Sequence, residues 1–312
     1  MKVPREVLDR LRSGRGFLIA THINPDGDAL GSALALSFAL ESLGKQTVLY
    51  ERDGVPEPYR FLPGRERFTD SAALSGLPLV LLDCNEPERA GLSRSDLDVP
   101  YSLVIDHHET ERGFGDLRWI EPKAAATGIM VYHLLRELGV TITGEIATNL
   151  YVAIAIDTGT FRYSNTDPEV LRVCADLIEA GADPASISVA LYESWSGKRF
   201  CLLLSVLNTL EIVDGIAITH VTREMFSATG TSAEDTEHFS NFPRMMGAIT
   251  ASAFFREIDE GWKVSLRSKG TVNVAKVAEK FDGGGHRNAA GFKTRADLKA
   301  AKEALIAAMR DP

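Results

Sequence analysis

The tripeptide Asp106-His107-His108 constrains this chain more than any other feature of its sequence. It follows Ser102-Leu103-Val104-Ile105, an apolar run with the length and branching of a buried strand. Three consecutive ionisable side chains at such a strand end are costly to bury unless they bind something. The pattern recurs twice. Phe17-Leu18-Ile19-Ala20 leads into His22-Ile23-Asn24-Pro25-Asp26-Gly27-Asp28, and Leu79-Val80-Leu81-Leu82 ends at Asp83. Three strand-like runs ending in carboxylates or imidazoles point to a metal site at the carboxyl edge of a parallel sheet, where ligands of open α/β folds collect.

Residues 1–190 alternate short apolar runs with helical patterns, the signature of an α/β domain whose sheet is mainly parallel and flanked by helices. Strands are expected at 16–21, 46–50, 79–83 and 102–106, and helices at 29–43 and 124–139, both followed or closed by glycine. The segment 145–157 keeps three- and four-residue apolar spacing and reads as a helix that delivers Asp157 at its end, although its β-branched content also fits a buried strand. Around Ser194-Trp195-Ser196-Gly197-Lys198 the pattern breaks. A linker helix region is placed at 191–211, with a helix over 199–210, and a smaller α/β domain at 212–312. Apolar alternations at 212–221 and 262–268 suggest its sheet, and helices are expected at 271–280 and 295–309.

With 312 residues, 45% hydrophobic and 25% charged, the chain has ordinary globular composition and length for about two domains. No apolar run approaches the roughly 18 residues of a membrane span. The N-terminus reads directly into an amphipathic helix, without the apolar core of a signal peptide. The three cysteines, Cys84, Cys174 and Cys201, show neither zinc spacing nor a disulfide framework, so a reducing cytoplasm is the expected location. A net charge of −9 argues against a surface that coats long nucleic acid. It is compatible with a small phosphate-bearing substrate.

Taken alone, Asn24-Pro25-Asp26-Gly27-Asp28 is turn chemistry with Asp28 as the cap of the next helix. Capping does not account for a second Asp two residues earlier, nor for His22 at the strand end. Asp83, Asp157 and His107 are each weak evidence alone, and their force lies in combination. Hard carboxylate oxygens with imidazoles suit Mn²⁺ better than a thiolate-seeking ion. Two ions about 3.5–4 Å apart can hold the attacking and leaving oxygens of a phosphoryl displacement, given a carboxylate to bridge them.

In the C-terminal part, Gly283-Gly284-Gly285-His286 follows a helical pattern. The bland reading is a helix end and a turn. The functional one is a backbone that approaches a ligand closely and presents N–H groups to an anion. Between Arg256 and Lys293 there are eight Lys and Arg against five Asp and Glu, a local excess in an acidic chain. Arg267 offers a two-pronged fork to phosphate. His133 and His220 are read as structural. His238 and Arg244, beside Phe239 and Phe242, are read either as substrate contacts or as domain-interface residues.

Together these segments resemble the DHH phosphoesterases, the family of RecJ-type exonucleases and manganese inorganic pyrophosphatases, and most closely its nanoRNase and pAp phosphatase branch. The resemblance rests on His22 to Asp28, Asp83, Asp106-His107-His108, Asp157 with its following Thr-Gly, and the segment Gly283 to Gly291 of the family's associated C-terminal domain. It implies a metal set of His22, Asp26 and Asp83 for one ion and Asp28, Asp83, His107 and Asp157 for a second. A water whose pKa the ions lower would be the nucleophile, with His108 contacting the scissile phosphate or helping to protonate the leaving group, and Asp106 in support. Arg267, Gly284, Gly285 and His286 would grip the substrate, and the active site would lie in a cleft between the domains. The implied substrates are RNA of about two to five nucleotides and 3′-phosphoadenosine 5′-phosphate (pAp), the cofactors two Mn²⁺ ions, and the assembly a cytoplasmic homodimer that binds neither long nucleic acid nor membrane. Rival expectations are a c-di-AMP or linear-dinucleotide phosphodiesterase and a non-catalytic nucleotide sensor.

Overall fold

The apolar runs that end in ionisable residues become neighbouring parallel strands. In the computed structural model, which describes residues 1–70, 76–94, 97–109, 113–270 and 272–310, the chain divides into two units, Met1–Ser194 and Trp195–Pro312. The first contains β1 (Gly16–Ala20), β2 (Gln46–Tyr50), β3 (Phe68–Thr69), β4 (Leu79–Leu82), β5 (Ser102–Asp106) and β6 (Leu117–Ile120). Their order is β3-β2-β1-β4-β5-β6, and every pairing is parallel. Strands β1, β4 and β5 are buried along their whole length, as expected where helices or loops cover both faces. Chain order reverses between β1 and β4. The carboxyl ends of strands flanking such a reversal form the crevice in which open α/β sheets bind ligands.

Among the described residues six α-helices accompany this sheet: α1 (Arg5–Ser13), α2 (Gly27–Ser42), α3 (Thr127–Leu138), α4 (Gly144–Asp157), α5 (Pro168–Glu179) and α6 (Pro184–Ser188). Helices α2 and α4 are apolar on almost every side, the mark of helices inside the core rather than on it. They cross antiparallel and close together. A Cβ at Gly31 would lie 2.3 Å from the Asn149 carbonyl oxygen, and one at Gly27 would lie 2.5 Å from the Ile156 side chain. The crossing brings the start of α2, with Asp26 and Asp28, to the end of α4, with Asp157.

Several boundaries differ from expectation for identifiable reasons. Strand β4 stops at Leu82 because Asp83 adopts φ 58°, a left-handed conformation that Asp tolerates better than most residues. Helix α2 starts two residues early and is capped by Asp26, whose Oδ1 accepts from the amides of Asp28 and Ala29. The cap expected of Asp28 is thus supplied by its neighbour. The ambiguous segment 145–157 is the helix α4, with Asp157 as its last residue. Strands β3 and β6 had no clear sequence signal, being short or polar.

The second unit holds α7 (Gly197–Leu207), β7 (Glu211–Val213), β8 (Ile216–Val221), α8 (Arg223–Thr229), β9 (Ala251–Ile258), β10 (Gly261–Ser268), α9 (Val274–Glu279), β11 (Gly284–His286), β12 (Ala289–Thr294) and α10 (Leu298–Arg310). The sheet order is β11-β12-β10-β9-β8-β7, antiparallel except for β8 with β9. The single alternation expected over 212–221 is two strands. Asp214 and Gly215, at φ 51° and 77°, form the Asp-Gly turn between them. The Gly-rich segment, read as a ligand-binding backbone with a turn as the bland alternative, is the edge strand β11, and β9 was not foreseen. Residue 271 of the helix expected over 271–280 lies outside the described residues. The core under this sheet includes Val264, Leu266, Val274, Val277, Phe292 and Leu305. Among the described residues no helix is long and apolar enough to cross a membrane.

Candidate metal centre

All six expected metal-site side chains meet beyond the carboxyl ends of β1, β4 and β5. His22 Nε2 lies 3.4 Å from Asp83 Oδ2 and 4.0 Å from Asp26 Oδ1. His107 Nε2 lies 3.0 Å from Asp157 Oδ2, 3.5 Å from Asp83 Oδ1 and 3.7 Å from Asp28 Oδ2. Two groups result, each with one potential ligand atom per residue and all atoms within 4.8 Å: His22 with Asp26 and Asp83, and Asp28 with His107 and Asp157. Asp83 touches both, one oxygen toward each imidazole. The left-handed turn at Asp83 is what sets its carboxylate between the two groups.

Main-chain contacts aim these side chains. His22 Nδ1 faces the Ile23 carbonyl at 3.1 Å, and His107 Nδ1 faces the Ala124 carbonyl at 3.0 Å. In each ring a proton on Nδ1 donates to that carbonyl and directs the Nε2 lone pair inward. Helix α3 has no capping side chain of its own. Asp28 caps it from across the core, accepting from the amides of Thr127 (2.7 Å) and Gly128 (2.8 Å). Thr127 Oγ1 donates to Asp83 Oδ1 at 2.9 Å.

Asp106 and His108 form a separate pair. His108 Nδ1 is 2.7 Å from Asp106 Oδ1, and its amide donates to the same oxygen at 3.2 Å. Asn85 Nδ2 donates to Asp106 Oδ2 at 2.7 Å. Both oxygens of this fully buried carboxylate are therefore engaged. His108 also lies 3.9 Å from Asp83.

Burial and crowding distort the acidity of three of these carboxylates, Asp26, Asp28 and Asp83. Burial, then the neighbouring carboxylates, pushes Asp28 well above the usual range, and burial likewise raises Asp26 against the opposing charge of His22. Asp83 is held below that range: burial opposes this, but His22, His108 and His107 outweigh it. His22 rises to about 9 because its bond to Asp83 and the charge of Asp26 overcome burial. With no cation present, the cluster draws protons onto its imidazoles. A divalent ion would displace those protons, so metal uptake and proton release are coupled. The donor set is oxygen and imidazole. The adjacent Cys84 thiol is pushed far up by burial and is no thiolate ligand. These residues fit hard divalent cations, and two such ions would balance the charge of Asp26, Asp28, Asp83 and Asp157.

The substrate-binding candidates share one side of the second sheet. Ala289 is in register with His286 on one side and Arg267 on the other, so all three side chains project to one face, with Arg267 and His286 about 10 Å apart across two strand spacings. Ala289 is small enough to leave the floor between them open. Gly284, two residues from His286, opens to the same face. A Cβ at Gly283 would lie 2.3 Å from the Gly291 oxygen, and one at Gly285, at φ 140°, 2.5 Å from the Ala289 oxygen. At Gly284 a Cβ would meet nothing. The fold needs glycine at 283 and 285 but not at 284.

Residues 16–154 match the DHH family N-terminal domain and residues 217–311 the DHHA1 domain. Over its full length the chain is 38% identical to the bifunctional oligoribonuclease and PAP phosphatase NrnA of Thermus thermophilus, spanning 94% of that protein. The chain belongs to the DHH phosphoesterase family. Its NrnA relative in Bacillus subtilis is 28% identical over 88% of each chain. A crystal structure of an exopolyphosphatase-related protein from Bacteroides fragilis superposes with a TM-score of 0.91 at 26% identity, covering 100% of this chain and 98% of that one.

Other contributors to this DHH site had no motif to announce them. Thr127 and Gly128 sit in the small-residue run Ala124-Ala125-Ala126-Thr127-Gly128, whose smallness was the available signal. Asn85 is two residues past Asp83. Half-buried Arg89 accepts the Ile23 amide on its carbonyl at 2.7 Å, and its charge opposes protonation of His22. His133 pairs with Glu169 at 2.7 Å, and half-buried His220 packs edge-on against Trp262. His238 and Arg244 are sequence neighbours of Phe239 and Phe242, whose rings cluster with Trp195 in the DHHA1-containing unit.

Proposed function

We propose that this DHH protein is a two-manganese phosphoesterase that degrades RNA of about two to five nucleotides to mononucleotides and removes the 3′-phosphate of pAp to give AMP. The observation that carries the reading is Asp83, whose two oxygens are divided between the His22 and His107 groups. NrnA relatives named for both activities support the choice of substrates.

In this reading His22, Asp26 and Asp83 hold one ion, and Asp28, Asp83, His107 and Asp157 hold the other. Held there, two divalent ions would supply charge to neutralise phosphoryl oxygens and to lower the pKa of a water for in-line attack on phosphorus. Asp106 fixes His108 through Nδ1, so Nε2 meets the phosphate or gives its proton to the leaving oxygen. Asn85 keeps Asp106 in place for that role. Hydrolysis breaks one P–O bond: the water oxygen bonds to phosphorus and a proton goes to the departing oxygen. Arg89, whose charge already acts on His22, would add a positive group for the substrate phosphate on that side of the site. Arg267 and His286 grip a substrate phosphate, and the amides of Gly284 and Gly285 bind phosphate or base. Net charge −9 and the lack of a basic tract limit the substrate to a few phosphates. The reading includes a cytoplasmic homodimer; exposed Phe200 and Leu204, one turn apart on α7, offer an apolar contact, and light scattering checks the mass.

Side-by-side turnover of pAp, a linear dinucleotide, a 24-mer and c-di-AMP with Mn²⁺ tests the assignment. Fastest turnover of pAp and the dinucleotide is expected. Faster cleavage of c-di-AMP would make the protein a cyclic-dinucleotide phosphodiesterase. Binding of all nucleotides with no turnover would make it a sensor.

A further inference from the structure

Helix α4 ends at Asp157, and the chain then makes a turn of unusual strain. Gly159, Thr160 and Phe161 stand consecutively at φ 57°, 56° and 62°. For the two residues with side chains, left-handed backbone costs about 1–2 kcal/mol each. Such a turn keeps its shape only if its surroundings hold it. Internal bonds fasten part of it: the Thr160 amide to the Ala155 carbonyl (2.6 Å), the Phe161 amide to Thr158 Oγ1 (3.2 Å), and Arg162 Nε to the Gly159 carbonyl (2.6 Å). None of these ties Asp157 to the rest of the metal centre.

Asn165 does. Its Nδ2 donates to the Asp157 carbonyl and to the Ala125 carbonyl, both at 3.0 Å. Both partners are acceptors, so the amide nitrogen and not its oxygen must face them. Ala125 belongs to the segment that holds three other members of the site. Ala124 accepts from His107, Thr127 bonds Asp83, and the Thr127 and Gly128 amides hold Asp28. The main chain at Asp157 is joined to that segment through the exposed side chain of Asn165, while the Asp157 carboxylate reaches it separately through His107.

We infer that Asn165 is a positioning residue for the second ion: it clamps the end of α4 to residues 124–128 and so sets the spacing of Asp157 from His107 and Asp28. The inference rests on the two-metal reading, and it concerns one half of the site only. Asn165 reaches none of the His22, Asp26 or Asp83 side chains by these bonds. Its loss therefore weakens one class of metal site and spares the other.

Mn²⁺ titration of metal-stripped protein, followed by the electron paramagnetic resonance of free Mn²⁺, tests this on wild type, Asn165→Ala and Asn165→Asp. The Asp variant keeps the size of the side chain but sets carboxylate oxygens against two carbonyls. Both variants should bind one Mn²⁺ as tightly as wild type and the second about tenfold more weakly, as loss of an outer partner typically does. Turnover should fall at limiting Mn²⁺ and recover at saturation, with KM for pAp unchanged. Two wild-type affinities in either variant would overturn the clamp. So would equal weakening of both sites together with a lower urea midpoint, which would mark a general structural role. A wild type that binds fewer than two Mn²⁺ would instead refute the two-metal reading itself.

Discussion

On the proposed reading, Asp28 and Gly284 represent two ways of building a binding surface in one chain. Asp28 is fully buried beyond a central strand, and each of its oxygens is held by main-chain amides of α3. Gly284 is exposed on an edge strand, where no neighbour requires it to be glycine. The DHH edge concentrates charge that is costly to bury, so its residues are tied down before any ligand arrives. The DHHA1 edge leaves backbone and space uncommitted. Pre-organised burial suits ions whose coordination must be held closely, and an open strand suits a substrate that arrives and leaves.

The division of labour is most directly broken at Asp83. Asp83→Ala removes the one carboxylate shared by both groups, so binding of both Mn²⁺ ions should weaken. Turnover of pAp should fall by far more than the roughly 100-fold expected for loss of an outer partner. Metal stoichiometry and kcat measured on the same sample check this, and wild-type turnover would rule out the shared carboxylate.

Arg267→Ala is the counterpart on the other sheet. A charged hydrogen bond to phosphate contributes about 1.5–3 kcal/mol, so KM should rise roughly 10- to 100-fold while Mn²⁺ content stays at the wild-type value. If manganese is lost as well, the two regions are not separable and the comparison fails.

A finer contrast lies within the Gly-rich strand. Gly285→Ala forces a side chain into left-handed backbone and against Ala289 and Ala290; overpacking of this kind costs about 1–3 kcal/mol, read as a lower urea midpoint. Gly284→Ala should leave the midpoint unchanged and raise KM several-fold, because its Cβ meets only what binds there. Equal stability loss in both would show that the fold, and not a ligand, demands the glycine at 284.

Legibility in the sequence followed the same division. Asp106-His107-His108 and the His22 to Asp28 segment stood out because ionisable residues at buried strand ends need a reason. Thr127, Asn85 and Asn165 did not, since a hydroxyl or amide costs little to expose and its partner is tens of residues away. The parallel sheet was readable from its central strands, each an unbroken apolar run. Edge strands β3 and β6 are short and carry polar residues, and β11 is glycine-rich, so none shows a strand period. Helix caps were harder still. Asp28 was expected to cap its own helix, yet it caps α3, which begins at Thr127, a pairing that only the tertiary fold creates.

Glu51 gives the smallest and most discriminating test, because it lies at the same edge without a role in either site. It follows β2 and is only 1% exposed, and the Asp53 and Gly54 amides that favour its ionised form do not outweigh that burial. Burial first, then the charge of Asp53, lifts its pKa from the ordinary 4.5 to about 7. The sign follows from proton uptake. Between those two values the folded state holds a proton that the unfolded chain has released, so stability from this group falls as pH rises from about 4.5 to about 7 and stays low above it. Glu51→Gln abolishes that dependence. Compared with wild type in chelator, it should gain about 1–3 kcal/mol at pH 8 relative to pH 4.5, measured as the difference in urea unfolding free energy. Mn²⁺ binding and kcat should be unchanged at either pH. A constant offset across pH would mean that Glu51 finds a partner in solution, and a loss of manganese would place it among the ligands and erase the distinction between buried charge that binds and buried charge that only costs.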